Sequence, residues 1–268
     1  MVFGGVLKAD MRRMLRGRNI YVTLAGTMLI TLVGMVPEIW AYRAEVSVFY
    51  LAYQHTLSNQ FFLLMTMLAV FPFGLSYRED EKHHYDYCMY SRTGVMGYCW
   101  SHMITAVAGT FLAVLTGYLL SYGVLGFFFP LLREAERHAL ELSDKDVYTC
   151  VILSKMPAFY FVCTAATEAA GHAFLAGTVL FLSVYIKNSF LLLSIPAIFY
   201  YGSNVLGNVL ELPGIFNWYY VLENGGWLAG KISDIRLLMP CIVLYFGSLI
   251  CLEGVLFVRA VERRRRNG

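Results

Sequence analysis

Residues 101–129 read SHMITAVAGTFLAVLTGYLLSYGVLGFFF, a run without a single Asp, Glu, Lys or Arg. About 20 mostly apolar residues carry a helix across the hydrocarbon core of a bilayer. This run exceeds that length, so it predicts a spanning helix that tilts, breaks or continues beyond the lipid. Immediately before it, residues 76–100 read SYREDEKHHYDYCMYSRTGVMGYCW, a segment dense in charge and tyrosine. An uncharged run opening from a charged loop sets the pattern for the whole chain: apolar helices joined by short polar connections.

Outward from this pair, five further stretches qualify as spans, at about residues 20–36, 57–75, 158–186, 189–210 and 237–258. The composition agrees. The 268 residues are 58% hydrophobic and 15% charged, whereas soluble domains are about 25% charged. A net charge of +3 spread over such a chain builds no basic groove for nucleic acid. The expected fold is an all-α integral membrane protein, a single transmembrane domain over residues 1–268 with six transmembrane helices. No aqueous segment approaches the roughly 50 residues a globular domain needs. ATP hydrolysis or other soluble chemistry would then belong to another chain, and this one is expected not to be an enzyme.

Lysine and arginine orient the spans. With both termini cytosolic, fourteen of the 21 bases lie inside: Lys8, Arg12, Arg13, Arg16, Arg18, Arg78, Lys82, Arg92, Lys187, Arg259 and Arg263 to Arg266. Arg43, Arg133, Arg137, Lys145, Lys155, Lys231 and Arg236 lie outside. The location expected from this bias is the cell membrane. The first span reads as a retained signal anchor.

Residues 1–18 predict an amphipathic helix on the inner surface. Phe3, Leu7, Met11, Met14 and Leu15 share one face, and Lys8, Arg12, Arg13 and Arg16 lie opposite, near anionic headgroups. The helix either only anchors topology or also touches a cytosolic partner. The 76–100 loop carries Arg78, Glu79, Asp80, Glu81, Lys82, Asp86 and Arg92 beside Tyr85, Tyr87 and Tyr90. Aromatics with orienting charges suit a docking surface, while a plain solvated connector is the alternative. Gly94 and Gly97 permit a turn before the third span. Outside, residues 131–142 predict an amphipathic helix, and Ser143 with Asp146 resembles a capping box. The aromatic segment 211–236 either re-enters the bilayer or forms an interfacial belt.

Tests for catalytic chemistry are mostly negative. Gly225 and Gly230–Lys231 approach a phosphate-binding loop, but Ile232 replaces the hydroxyl that would hold Mg²⁺. His83, His84, Asp86 and Cys88 lack a second ligand pair, so no metal is expected. Glu168 and His172 share a helix face inside the fourth span. They either form a packing hydrogen bond or line a polar patch at an interface or substrate path. An intramembrane enzyme using this pair is the remoter option. Glu253, near the inner end of the last span, is expected to reach Arg259 or water.

These features together resemble the permease subunit of ABC transporters of the type-2 export class. The likeness is architectural and spans nearly the whole chain. It rests on the basic N-terminal helix, the Arg78-Glu79-Asp80-Glu81 stretch after span two, the third span opening from it, and the outer amphipathic helices. It rests also on the small-residue span, the Lys187-Asn188 turn followed by Pro196, and the aromatic last outer loop. The loop lacks the family's frequent Glu-x-Gly-Thr pattern. The resemblance implies a translocation path formed by two paired permeases, alike or related, above two cytosolic ATPase subunits that carry the ATP and Mg. It also implies coupling through residues 76–98, with Glu79, Asp80, Glu81, Tyr85, Asp86 and Arg92 in contact and the N-terminal helix as a second contact. A non-transporting immunity, sensing or assembly subunit would share the same fold.

Overall fold

The computed structural model describes residues 2–42, 46–58, 62–142, 147–153, 156–213, 232 and 234–267. Among the described residues it is all-helical: α1 Val2–Arg16, α2 Arg18–Ala41, α3 Val48–Ser58, α4 Phe62–Leu68, α5 Ser76–Lys82, α6 Tyr85–Phe128, α7 Glu134–Leu142, α8 Val147–Ile152, α9 Ala158–Leu182, α10 Ser189–Val209 and α11 Ile235–Asn267. Five of these, α2, α6, α9, α10 and α11, are long and apolar enough to cross a membrane.

The helices bury faces that a water-soluble protein would leave outside. On α2 the buried residues are Ile20, Thr23, Thr27, Thr31 and Met35, spaced three or four apart, while Tyr21, Val22, Leu29 and Val33 are exposed. A helix with hydroxyls inward and large apolar groups outward suits an apolar surround. Central in the bundle, α6 packs against α9, α2, α1 and α11. Its contact with α2 is close at Gly117, where a Cβ would fall 2.6 Å from Thr27 Cβ and 3.0 Å from the Leu24 carbonyl oxygen.

The expected second span, 57–75, is not one helix. The chain forms α4, then a run of tight turns from Ala69 to Leu75 before α5. Pro72 explains the break: it has no N–H to donate to the Leu68 carbonyl one turn back, and its ring crowds that carbonyl. Carbonyls freed at the end of α4 are met by hydroxyls from neighbouring helices. Thr23 Oγ1 donates to the Leu68 carbonyl at 3.0 Å, and Thr110 Oγ1 to that of Ala69 at 2.8 Å. Among the described residues, five single helices are long and apolar enough to span where six spans were expected.

Other boundaries shift less. The turn allowed by two glycines occurs at Gly94 alone, whose φ of 71° and ψ of 163° break α6 into two helical pieces. Gly97 stays helical. The fourth expected span ends at Leu182 instead of 186. Asn188 caps α10 by accepting from the Phe190 amide at 2.9 Å and the Leu191 amide at 3.4 Å, which is why the Lys187–Asn188 turn starts a helix there. The expected last span, 237–258, is the earlier part of a longer helix: α11 runs Ile235–Asn267, 33 residues, or about 50 Å at 1.5 Å each. It is thus longer than a roughly 30 Å hydrocarbon core, and its final turns carry Arg263 to Arg266. The Ser143–Asp146 box, residues 214–231 and the Gly225–Lys231 motif lie outside the described residues.

Candidate functional site

Seven residues, SYREDEK, form α5 between the broken segment and α6. Each of its charged side chains except Lys82 is tied to another part of the chain. Asp80 is 2% exposed. It accepts from Arg13 Nη1 at 2.5 Å, from the Tyr98 hydroxyl at 3.0 Å and from His102 Nε2 at 3.0 Å. The same arginine reaches Glu79 through Nη2 at 3.3 Å and lies over the Phe73 ring at 5.7 Å.

His102 carries this network back to α1. Its Nδ1 lies 3.2 Å from Asp10 Oδ2, close enough for an ion pair though off the line of a good hydrogen bond. Ser101 Oγ donates to the same Asp10 oxygen at 2.5 Å. Asp10 is itself buried, on the α1 face shared with Val6 and Met14. The imidazole thus lies between two carboxylates, hydrogen-bonded to Asp80 and within ion-pair distance of Asp10. The cluster Asp10–His102–Asp80–Arg13 thereby joins α1, α5 and α6 at one end of the bundle.

The electrostatics follow from this geometry. Burial pushes the Asp80 carboxyl up, but hydrogen bonds and charge from His102 and Arg13 outweigh it and hold the group below the ordinary carboxylate range. Burial raises the nearby Tyr77 phenol to about 12, so it stays a neutral donor. A shell of rings surrounds the cluster: Tyr98 meets Tyr90 edge-on at 5.0 Å, and Tyr77 meets Phe257 at 5.4 Å.

The other side of α5 is tied to the far end of the chain. Glu81 accepts from both Arg78 and Arg264. Arg264 also donates to the Val184 carbonyl at 2.5 Å, and Arg78 Nε to that of Lys187 at 3.1 Å. Thus α5 is fixed to α11 and to the turn between α9 and α10 as well.

The expected contact residues separate into two sets. Asp80 is inside the bundle and Glu81 is occupied by arginines, so both hold α5 in place. Asp86 is also buried, in the first turn of α6. Glu79, Lys82, His83, His84, Tyr85, Tyr87 and Arg92 are exposed. On α1, Lys8, Arg12 and Arg16 are exposed, whereas Arg13 joins the cluster. The apolar face expected for α1 is also rotated: Val6, Asp10 and Met14 are buried, while Phe3 and Leu15 are exposed.

Asp10, Tyr98, Ser101, His102 and Arg264 were missed by sequence reasoning. For Asp10, Tyr98 and His102 the signal was spacing: Val6, Asp10 and Met14 recur every four residues, as do Tyr98 and His102. That periodicity puts each set on one helix face.

Within the bundle, Glu168 and His172 are buried on α9. The ring of His172 donates from Nδ1 to the backbone carbonyl of Glu168 at 2.8 Å, and the Glu168 carboxyl lies beside Tyr118 and Tyr122 of α6. Glu253 does not turn toward Arg259 or water. It accepts from Thr178 Oγ1 of α9 at 2.5 Å. Among the described residues no three His, Cys, Asp or Glu side chains are grouped to hold a metal.

Comparison with protein-family models, curated proteins and solved structures finds no match to this chain.

Proposed function

We propose that the chain is the membrane-spanning permease subunit of an ATP-driven exporter, working as a pair above separate ATPase subunits. Both termini are cytosolic in this reading, and α3, α4 and the following turns make the sixth crossing. The α1 helix lies on the inner surface with Phe3 and Leu15 toward lipid and Lys8, Arg12 and Arg16 toward headgroups. One observation carries the reading: α5 is fixed by ion pairs and hydrogen bonds to α1, α6 and α11, yet Lys82, His83, Tyr85 and Tyr87 remain exposed beside it. A motor protein needs such an element, rigid toward the bundle and open toward the cytosol.

The test is a photo-crosslinking residue placed at Tyr87 of the full chain, with a second at lipid-facing Leu29 as control. Purification from native membranes should recover an ATPase bearing a phosphate-binding loop, crosslinked from position 87 and not from 29. Lys82→Glu and Tyr87→Ala should weaken that capture while the protein stays folded. Reversing Glu79, Asp80 and Glu81 is a poorer test, because two of those acids hold the fold. A chain that purifies alone, or crosslinks only to a protein without ATPase activity, overturns the proposal.

A further inference from the structure

A recess of about 600 Å³ opens between α5, the start of α6, the turn after α9 and the end of α11. Five cations line it: Arg78, Lys82, Lys187, Arg264 and Arg265. Two carboxyls face them, Glu81 and Asp86. Glu81 is consumed between Arg78 and Arg264. Asp86 is buried at the start of α6, and burial pushes its carboxyl up. Among the described residues Lys82, Lys187 and Arg265 make no ion pair; Arg265 instead lies over the Tyr90 ring at 5.9 Å.

Three cations held around one recess repel one another, and the fold brings them there from three separate parts of the chain. Such an arrangement is relieved by an anion that accepts from several directions. Phosphate fits best: it has several acceptor oxygens, and guanidinium and ammonium groups are its usual partners. The recess volume falls within the roughly 300–1,000 Å³ of small-ligand sites, and neutral phenols at its wall supply further donors. Just beyond it, Arg263 and Arg266 extend the positive surface along α11.

We propose that this recess binds a phosphate-bearing anion, either the headgroup of an anionic lipid or a free phosphate compound, between Lys82, Lys187 and Arg265. The recess shares Lys82 and Tyr87 with the proposed docking surface, but anion binding needs no motor protein, so it is tested on the isolated chain.

The experiment uses the full chain, purified and delipidated. It is presented with phosphatidylcholine nanodiscs, with the same nanodiscs containing cardiolipin, and with inorganic pyrophosphate in neutral detergent. Retained lipid is read by mass spectrometry and pyrophosphate binding by calorimetry. The triple variant Lys82→Ala, Lys187→Ala, Arg265→Ala should bind on the order of a hundredfold more weakly. Arg137→Ala, on exposed α7, should bind like the parent. Cardiolipin bound in this variant-sensitive way assigns the ligand to the lipid headgroup; pyrophosphate bound so, without lipid, assigns it to a free phosphate. If the triple variant misfolds, the exposed pair Lys82→Gln, Lys187→Gln serves in its place. No binding of either probe, or binding equal in parent and variants, overturns the proposal.

Discussion

Replacing Asp80 by asparagine changes almost no volume and removes one charge from the centre of the α1–α5–α6 junction. Asp80 accepts three hydrogen bonds. The Arg13 side chain is 41% exposed and already touches Glu79, so its loss is softened by water. Tyr98 and His102 are fully buried and have no such recourse. Asparagine keeps one acceptor oxygen and turns an amide N–H₂ toward groups that are themselves donors. Two buried bonds to a charged acceptor, at about 1.5–3 kcal/mol each, set the scale. Removing one partner of a buried pair costs about 3–5 kcal/mol, so a loss near 3 kcal/mol is expected. The assay is unfolding of the full chain in detergent, joined to thiol labelling of a cysteine introduced by Met14→Cys on the buried face of α1. That thiol should be protected in the parent and react quickly once Asp80→Asn loosens α1. Acid should mimic the substitution. The folded carboxyl sits below its ordinary range, so its stabilisation is full above about pH 4 and is lost as pH falls through the lowered value. The variant should lack that acid-sensitive limb. Stability within about 0.5 kcal/mol of the parent, with Met14→Cys still protected, would refute the claim that Asp80 holds the junction.

Three further substitutions probe the bundle. Gly117→Ala places a methyl 2.6 Å from Thr27 and 3.0 Å from the backbone of Leu24; pushing α2 off α6 should cost about 1–3 kcal/mol in an unfolding titration. Gly94→Ala meets no atom within 4 Å, but the backbone there has φ 71°, so a loss of about 1–3 kcal/mol is expected from conformation alone. Gly97→Ala, inside regular helix, should be neutral or stabilising by less than about 1 kcal/mol, and the contrast between the two tests whether the break belongs to Gly94. Thr178→Val deletes the donor to Glu253 and should destabilise by about 1–3 kcal/mol, read by the same titration.

The long apolar helices were legible because uncharged runs such as 101–129 report burial in any apolar surround, whatever the neighbours are. Residues 57–75 were misread for the same reason: hydropathy averages over a window and does not register the backbone bond that Pro72 removes. The polar loop was legible as a site but not in its parts. Local sequence shows that Glu79, Asp80 and Glu81 are adjacent. It does not show that their partners are Arg13 and Arg264, which lie 66, 67 and 183 positions away respectively. His102 opens an apolar run and so read as part of the span. Its role depends on two carboxylates contributed by α1 and α5, and only the fold brings them to it.

The break at Gly94 decides how any displacement of this junction travels. Tyr98, Ser101 and His102 lie beyond it, on the long shaft of α6, and they hold Asp10 and Asp80. Tyr85 and Tyr87 lie before it, on a short piece joined to the shaft by a single non-helical residue. A force applied to those exposed tyrosines would be absorbed by rotation at Gly94 if the backbone were the only link. Two side-chain links limit that rotation. Tyr90 abuts Tyr98 at 5.0 Å across the break, and Arg265 lies over the same Tyr90 ring. The short piece therefore bears on α6 and α11 together, as α5 does through Asp80 and Glu81. Under the proposed coupling role, the hinge lets the docking surface adjust to its partner while the ring contacts and ion pairs carry the load. Tyr90 is the residue on which both requirements meet.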